Sequence, residues 1–582
     1  MHGSDQSSIL RISSFWQRVH RRPTGPFVCA LGILVAGTLL AGCAGSQASS
    51  SATQPPGTAT QAQAPTKAPA PASQPTQSAS TQGSTLVIGT NFVIKTMDPG
   101  RTIEVGAHMI NHATYDTLVT YDGADLSTPK PNLATDWTIS PDGKTYTFKL
   151  RSGVKFVSGN PLTSADVKWS LDRMINLKAN TSYLVPNIQE VDAPDPQTVV
   201  IKLKNSDPGF LAILANPSMS PVDSKLVQEK GGDAGPNAKD QDKAEAYLNS
   251  TSAGTGPYTL SKYVPDQEID LVKNPNSWRG PAKFDRIVVR NMPEPATEKL
   301  QVERGDLDIA LSLDQDQVKA LANSQGVTTA SSPLATTFYI LINNNPQVGG
   351  AFSNPKVQEA MRYALDYDGI MTIAGKGAVR LAGVIPTNFY GYRDPSEAPK
   401  KDVQKAKDLL KEANVGQITG KLTYGNDGSV QGVPMDLLAQ KIQSDLAAVG
   451  INIQLDGMPR TAALQLYRDG KNQLGLWSWA ADWPDPSDFL TYAPGQTVGK
   501  RAGWPEDATP EAKQLADLAR QAQSELDKTK RTALYKQFDT MVSTIGPYIP
   551  LFQPAAPYAY RSDLKGVTYN SVWQLDLAAI SK

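Results

Sequence analysis

The segment Trp479-Ala480-Ala481-Asp482-Trp483-Pro484-Asp485-Pro486 gathers two aromatic faces and a charged acceptor within five residues. That combination suits holding a small molecule more than breaking its bonds, so Asp482, Trp479 and Trp483 are the candidate ligand-binding residues. The same residues have a structural reading, with Asp482 capping a turn and the indoles in the core. His108 and His112 stand four apart, which on a helix puts both rings on one face and suits a metal. No Glu lies between them as in a zinc protease and no further His follows them. They are weak candidates, and neither a metal nor a cofactor is expected. Catalytic motifs are missing. There is no Gly-x-Ser-x-Gly elbow, and Gly375-Lys376 lacks both the Gly five residues earlier and the following Ser or Thr of a phosphate loop. Gly254-Thr255-Gly256-Pro257 lacks the third Gly of a dinucleotide loop and reads as a strand-linking turn.

The elements that must position these residues read as mixed α and β. Thr85 to Thr90 alternates like a strand, as does Thr145 to Leu150 after the turn sequence Pro141-Asp142-Gly143-Lys144. Thr163 is placed to cap a helix with Asp166 at its third position, putting Val167, Leu171 and Met174 on one stripe. Val199 to Leu203 is a further strand, and residues 229–248, rich in Gly, Asp and Lys, read as a solvated excursion. Leu422 to Tyr424 predicts a strand, and Met435, Leu438, Ile442, Leu446 and Val449 a helix stopped by Gly450. Another strand is expected at Ile451 to Leu455, a helix over 461–468, and a third strand at Leu474 to Ser478. Strands alternating with helices imply a parallel sheet, and ligands gather beyond the C-terminal ends of such strands. Trp479 to Pro486 follows the third strand directly.

At the other end, an apolar run of about 15 residues follows Arg18, Arg21 and Arg22 and closes on Leu40-Ala41-Gly42-Cys43. It is too short to span a bilayer and resembles a bacterial lipoprotein signal, which implies lipidation at Cys43 and an extracytoplasmic mature chain. Residues 44–84 carry one charge, Lys67, and no aromatic or large aliphatic side chain, and they read as a disordered tether of about 35 Å average span. Lys+Arg and Asp+Glu number 56 each, and the part beyond the tether is only mildly acidic, which argues against nucleic acid as a partner. Once Cys29 is cleaved off and Cys43 acylated, no thiol remains for a disulfide, so packing must hold the fold.

Several longer matches then carry a resemblance. Leu133-Ala134-Thr135-Asp136-Trp137, Pro141 to Phe156, Leu162 to Val167, Gly254-Thr255-Gly256-Pro257-Tyr258, Asn274-Pro275-Asn276-Ser277-Trp278, Gly305 to Ile309, Val357 to Asp366, Ala406 to Asn414 and Trp479 to Pro486 resemble, in order and spacing, the extracytoplasmic solute-binding proteins of the oligopeptide, dipeptide and nickel group. The pattern departs at Ser158-Gly159-Asn160 and between Pro494 and Pro510. The resemblance implies an α/β, two-lobed periplasmic-binding-protein-like fold with an extra subdomain in the first lobe. It divides the chain into a signal peptide over 1–43, a tether over 44–84, lobe I over 85–345 with an insert at about 126–254, lobe II over 346–549, and a return to lobe I over 550–582.

It further implies capture of a solute, a peptide first, by hinge closure and delivery to an ATP-binding cassette permease, with Asp482 pairing the α-ammonium of a peptide. The expected partners are a small-molecule or peptide ligand, the permease subunits, and a membrane through the lipid anchor; the protein itself is expected to be monomeric and not an enzyme. Alternatives are a nickel chelate, an oligosaccharide or another small solute, or an extracellular peptidase using paired carboxylates.

Overall fold

The computed structural model describes residues 84–582. The expected Cys43 anchor and the tether up to Gly83 lie outside them. Two sheets organise the described chain. The first has seven strands, with Thr85–Thr90 parallel to Arg286–Asn291 on one side and to Ile309–Ala310 on the other. Tyr258–Val264 and Glu268–Lys273 extend it at one edge, and Ala555–Arg561 and Val327–Pro333 at the other.

The second sheet has six strands, and its readable part follows the expected pattern. Ile418–Gly425 runs parallel to both Ile451–Met458 and Leu474–Ala480. The intervening helix Met435–Ala447 buries Leu438, Ile442 and Leu446 against the sheet, and Gly450 turns the chain at φ +94°, a backbone region open to glycine. Antiparallel strands complete this sheet: Thr336–Ile342 pairs Leu474–Ala480 and Tyr548–Gln553. Thr336–Ile342 is buried along its whole length, so it reads as a continuous apolar run with no alternation to betray it.

The chain therefore changes sheets twice. It leaves the first sheet after Pro333 and enters the second at Thr336, ahead of the boundary expected at 345; it returns between Gln553 and Ala555. The two crossings lie side by side. The Leu334 N–H donates to the Pro554 carbonyl at 2.9 Å, and Gln553 Nε2 donates to the Leu334 carbonyl at 2.8 Å. Parallel crossings of this kind confine relative movement of the two sheets to rotation about a short axis.

A third sheet of four antiparallel strands lies within the expected insert. Thr145–Leu150 pairs with Ala134–Ile139 as a hairpin and with Thr198–Leu203, burying Tyr146, Phe148, Val199 and Ile201. The helix Ser164–Leu177 begins as expected, with Asp166 Oδ2 accepting the Thr163 N–H at 2.8 Å. Residues 229–248 are mostly exposed or half-buried, as expected of a solvated excursion, but they carry short helices and tuck in Ala238, Asp242, Ala244 and Leu248. Asp242 receives Arg173 Nε at 2.8 Å, while the same guanidinium grips Asp98 at 2.9 and 2.6 Å. Of the charges in this segment, Asp242 alone belongs to that buried, mutually neutralising cluster, while Glu229, Lys230, Lys239, Asp240 and Lys243 are exposed.

The resemblance motifs also converge in space. Thr255 Oγ1 and the Trp278 indole N–H donate to Asp116 at 2.7 and 2.8 Å, and Arg279 pairs with the same carboxylate.

Candidate functional site

A cavity of about 650 Å³ lies between the first and second sheets. Leu334, Ala335 and Thr336, the first crossing itself, form part of its wall, so rotation there must open or shut it. The first sheet's side contributes Ile103, Val105, His108, Ser312 and Asp314. The second contributes Asp427, Gln431 and Asp482, and the C-terminal segment contributes Tyr569, Val572 and Gln574. The volume suits a small organic solute.

Asp482 reaches this cavity because the segment after Leu474–Ala480 is bonded to itself. Asp488 Oδ2 accepts the Trp479 indole N–H at 2.8 Å and the Asp482 backbone N–H at 3.3 Å, and the Trp483 indole donates to Ser487 Oγ at 3.0 Å. Asp485 caps the following turn by accepting the Ser487 N–H at 2.9 Å. Across the interface, Asn216 Nδ2 of the insert donates to the Asp482 carbonyl at 3.0 Å. Burial pushes the Asp482 carboxyl up to about 6, opposed by its contact with the Tyr183 hydroxyl. Asp488, deeper and facing Asp482, is pushed well above the ordinary carboxylate range by burial and then by its neighbour's charge. Burial thus raises both carboxyls, and the deeper Asp488 is raised further by the charge of Asp482.

Of the three candidate binding residues, the structure brings only Asp482 to the cavity wall. Trp479 and Trp483 are half-buried and pack against the core that joins the insert to the second sheet. Their indole N–H groups are spent on Asp488 and Ser487, which fixes the loop that carries Asp482. The two histidines do share the helix Val105–Thr114, but their partners differ. His108 lines the cavity with Nε2 3.1 Å from Ser218 Oγ, and burial holds it neutral with its pKa down at about 4. His112 stacks on Trp573 at 4.2 Å between ring centres, and burial lowers it to about 4 as well. Among the described residues, no group of three or more His, Cys, Asp or Glu is arranged to hold a metal.

Sequence reasoning missed most of the wall. Asp427 was within reach of the rule that pointed to Asp482, since it follows the C-terminal end of the parallel strand Ile418–Gly425. Gln431 sits with Gly432 in the two-residue loop of a small hairpin, at φ +50° and +79°, a turn that requires left-handed backbone at both positions. Gln574 also has a positive φ, +65°, and its buried Oε1 finds no hydrogen-bond partner among the described residues. Two strained glutamines on one cavity wall fit a site under functional constraint. Neither carries a sequence signal strong enough to find it.

Two lobes joined by paired crossings around an interlobe cavity define a two-lobed solute-binding protein. The chain belongs to the bacterial extracellular solute-binding proteins, family 5, whose model matches residues 128–500. It is 29% identical over 486 residues to the probable D,D-dipeptide-binding periplasmic protein DdpA of Escherichia coli, covering 82% of this chain and 90% of that one. Among solved structures it resembles the ABC transporter substrate-binding protein CtaP of Listeria monocytogenes, with a TM-score of 0.74, 20% identity and coverage of 86% of this chain and 99% of that one. It also resembles DppA of Helicobacter pylori in complex with the peptide STSA, with a TM-score of 0.69, 24% identity and coverage of 86% and 98%. Members of this family are extracytoplasmic transport proteins that work with ATP-binding cassette permeases. Among the described residues no helix is long and apolar enough to cross a membrane.

Proposed function

We propose that this protein captures an amine-bearing solute, a short peptide first, in the interlobe cavity and presents it in closed form to its permease. The observation that carries this reading is the Asp482 carboxylate, held on a self-bonded loop and aimed into a cavity whose wall includes the crossing between the sheets. An ammonium drawn out of water needs a fixed opposite charge, and a carboxylate that is already partly desolvated gives up little more on binding. The name of the relative DdpA and the bound peptide of the DppA structure support a peptide as the first class to try. Asp482 is then the α-ammonium partner, while Trp479 and Trp483 serve by fixing its loop.

Lipid attachment through Cys43 completes the proposal by keeping the receptor beside the permease, and the working unit is a single chain. Calorimetry with a mixed pool of di- to tetrapeptides tests capture, and small-angle scattering with and without the pool tests closure. Heat together with a compacted scattering curve is expected. No heat with any peptide removes the peptide assignment. Mass spectrometry of the recovered ligand separates capture from cleavage: an intact peptide supports a receptor, and a hydrolysed one a peptidase.

A further inference from the structure

The cavity wall is one-sided in charge. Three carboxylates face into it, Asp314, Asp427 and Asp482, and among the described residues no lysine or arginine lines it. Asp314 spends one oxygen on the Gln317 N–H at 2.8 Å and Asp427 one on the Arg460 N–H at 2.7 Å. The imidazole of His108, engaged by Ser218, supplies no positive charge. The charged groups of the wall are therefore all acceptors, and its remaining polar groups, such as Asn91, Ser429 and Ser571, are neutral. Around them stands an apolar surface that includes Ile103, Val105, Leu311 and Val572.

A zwitterionic dipeptide fits such a wall poorly. Its ammonium is well served, but its carboxylate must leave water without a cation to receive it and beside three like charges, a desolvation cost with nothing to offset it. A ligand whose polar ends are cationic donors meets the carboxylates and brings no like charge beside them. Resting on the capture reading above, we propose that the cavity selects organic cations with an apolar body and no free carboxylate, such as amidated peptides and hydrophobic amines or guanidines, over zwitterionic and acidic solutes. Asp314 and Asp427 are its specificity-determining residues, acting beyond the single ammonium contact at Asp482.

Calorimetry at pH 7.5 with three probes on one skeleton tests this: leucyl-leucinamide, leucyl-leucine and N-acetyl-leucyl-leucine. The amide is expected to bind at least tenfold tighter than the free acid, and the acetylated acid to give no heat. In the double variant Asp314→Asn and Asp427→Asn, which keeps both acceptor oxygens that serve backbone N–H groups, the amide-to-acid ratio should fall towards one. Thermal melting at the wild-type midpoint would show that the double variant is folded. Leucyl-leucine binding as tightly as the amide overturns the inference, and so does a ratio left unchanged in the folded double variant. If none of the three probes binds while the peptide pool does, selection for cations falls alone. If the pool also fails, the capture reading falls with it.

Discussion

Protonation of Asp482 should turn ligand binding off in the mildly acidic range. Its carboxyl is raised to about 6 by burial, so it is protonated below that value and charged above it. Only the charged form pairs with an ammonium. A bound cation therefore favours the ionised carboxylate, and affinity falls as pH falls through about 6. With a single group at that value, roughly ten elevenths of the protein is competent at pH 7 and one eleventh at pH 5. The dissociation constant for a primary amine ligand should thus rise about tenfold between pH 7 and pH 5, equivalent to about 1.4 kcal/mol. Titrations near pH 6 in buffers of different ionisation heat should show about half a proton released per ligand bound. Asp482→Asn removes the titrating group, so its affinity should be lower at pH 7 and flat across the range. A wild-type constant that does not change from pH 7 to 5, or an Asp482→Asn protein that keeps the same slope, would refute the assignment of Asp482 as the ammonium partner.

Three further outcomes follow from the packing. Arg531 is buried and grips Asp485 through two hydrogen bonds of 2.9 and 2.8 Å, so Arg531→Met leaves an unpaired buried carboxylate and should cost about 3–5 kcal/mol, read as a large drop in Tm. Glu298 is fully buried and raised by that burial to about 8, so its contribution to stability is complete below its unfolded value and drains away as pH rises through 8. Glu298→Gln should therefore raise Tm at pH 8 and change it little at pH 5; a gain that is equal at both would contradict the shift. A methyl group on Gly254 would meet the Thr114 carbonyl oxygen at 2.2 Å, so Gly254→Ala should destabilise by about 1–3 kcal/mol in thermal melts.

Half of the second sheet, the strands Ile418–Gly425, Ile451–Met458 and Leu474–Ala480, could be read from the sequence because these strands alternate with amphipathic helices of clear period. Thr336–Ile342 and Tyr548–Gln553 could not, since a strand buried on both faces shows no alternation. Within the exposed excursion at 229–248, Asp242 could not be singled out because composition reports charge and not pairing, and Asp242 is charged, buried and paired at once. At the site, Asp482 was legible from its place after a strand end. The indoles of Trp479 and Trp483 were legible as important but not in their direction, because whether an aromatic faces a cavity or anchors a loop depends on partners such as Asp488 and Ser487. His108, Gln431 and Gln574 come to the wall only through the meeting of segments far apart in the chain.

The bonds from Trp479 to Asp488 and from Trp483 to Ser487 also tie two natural fluorophores to the loop that carries Asp482. Whatever alters the charge on Asp482 alters the field across the Trp479 ring through Asp488, so cargo arrival should shift the emission of the unlabelled protein. Exchanging Trp479 for Phe should dim that signal and, by removing the bond to Asp488, loosen the loop that carries Asp482.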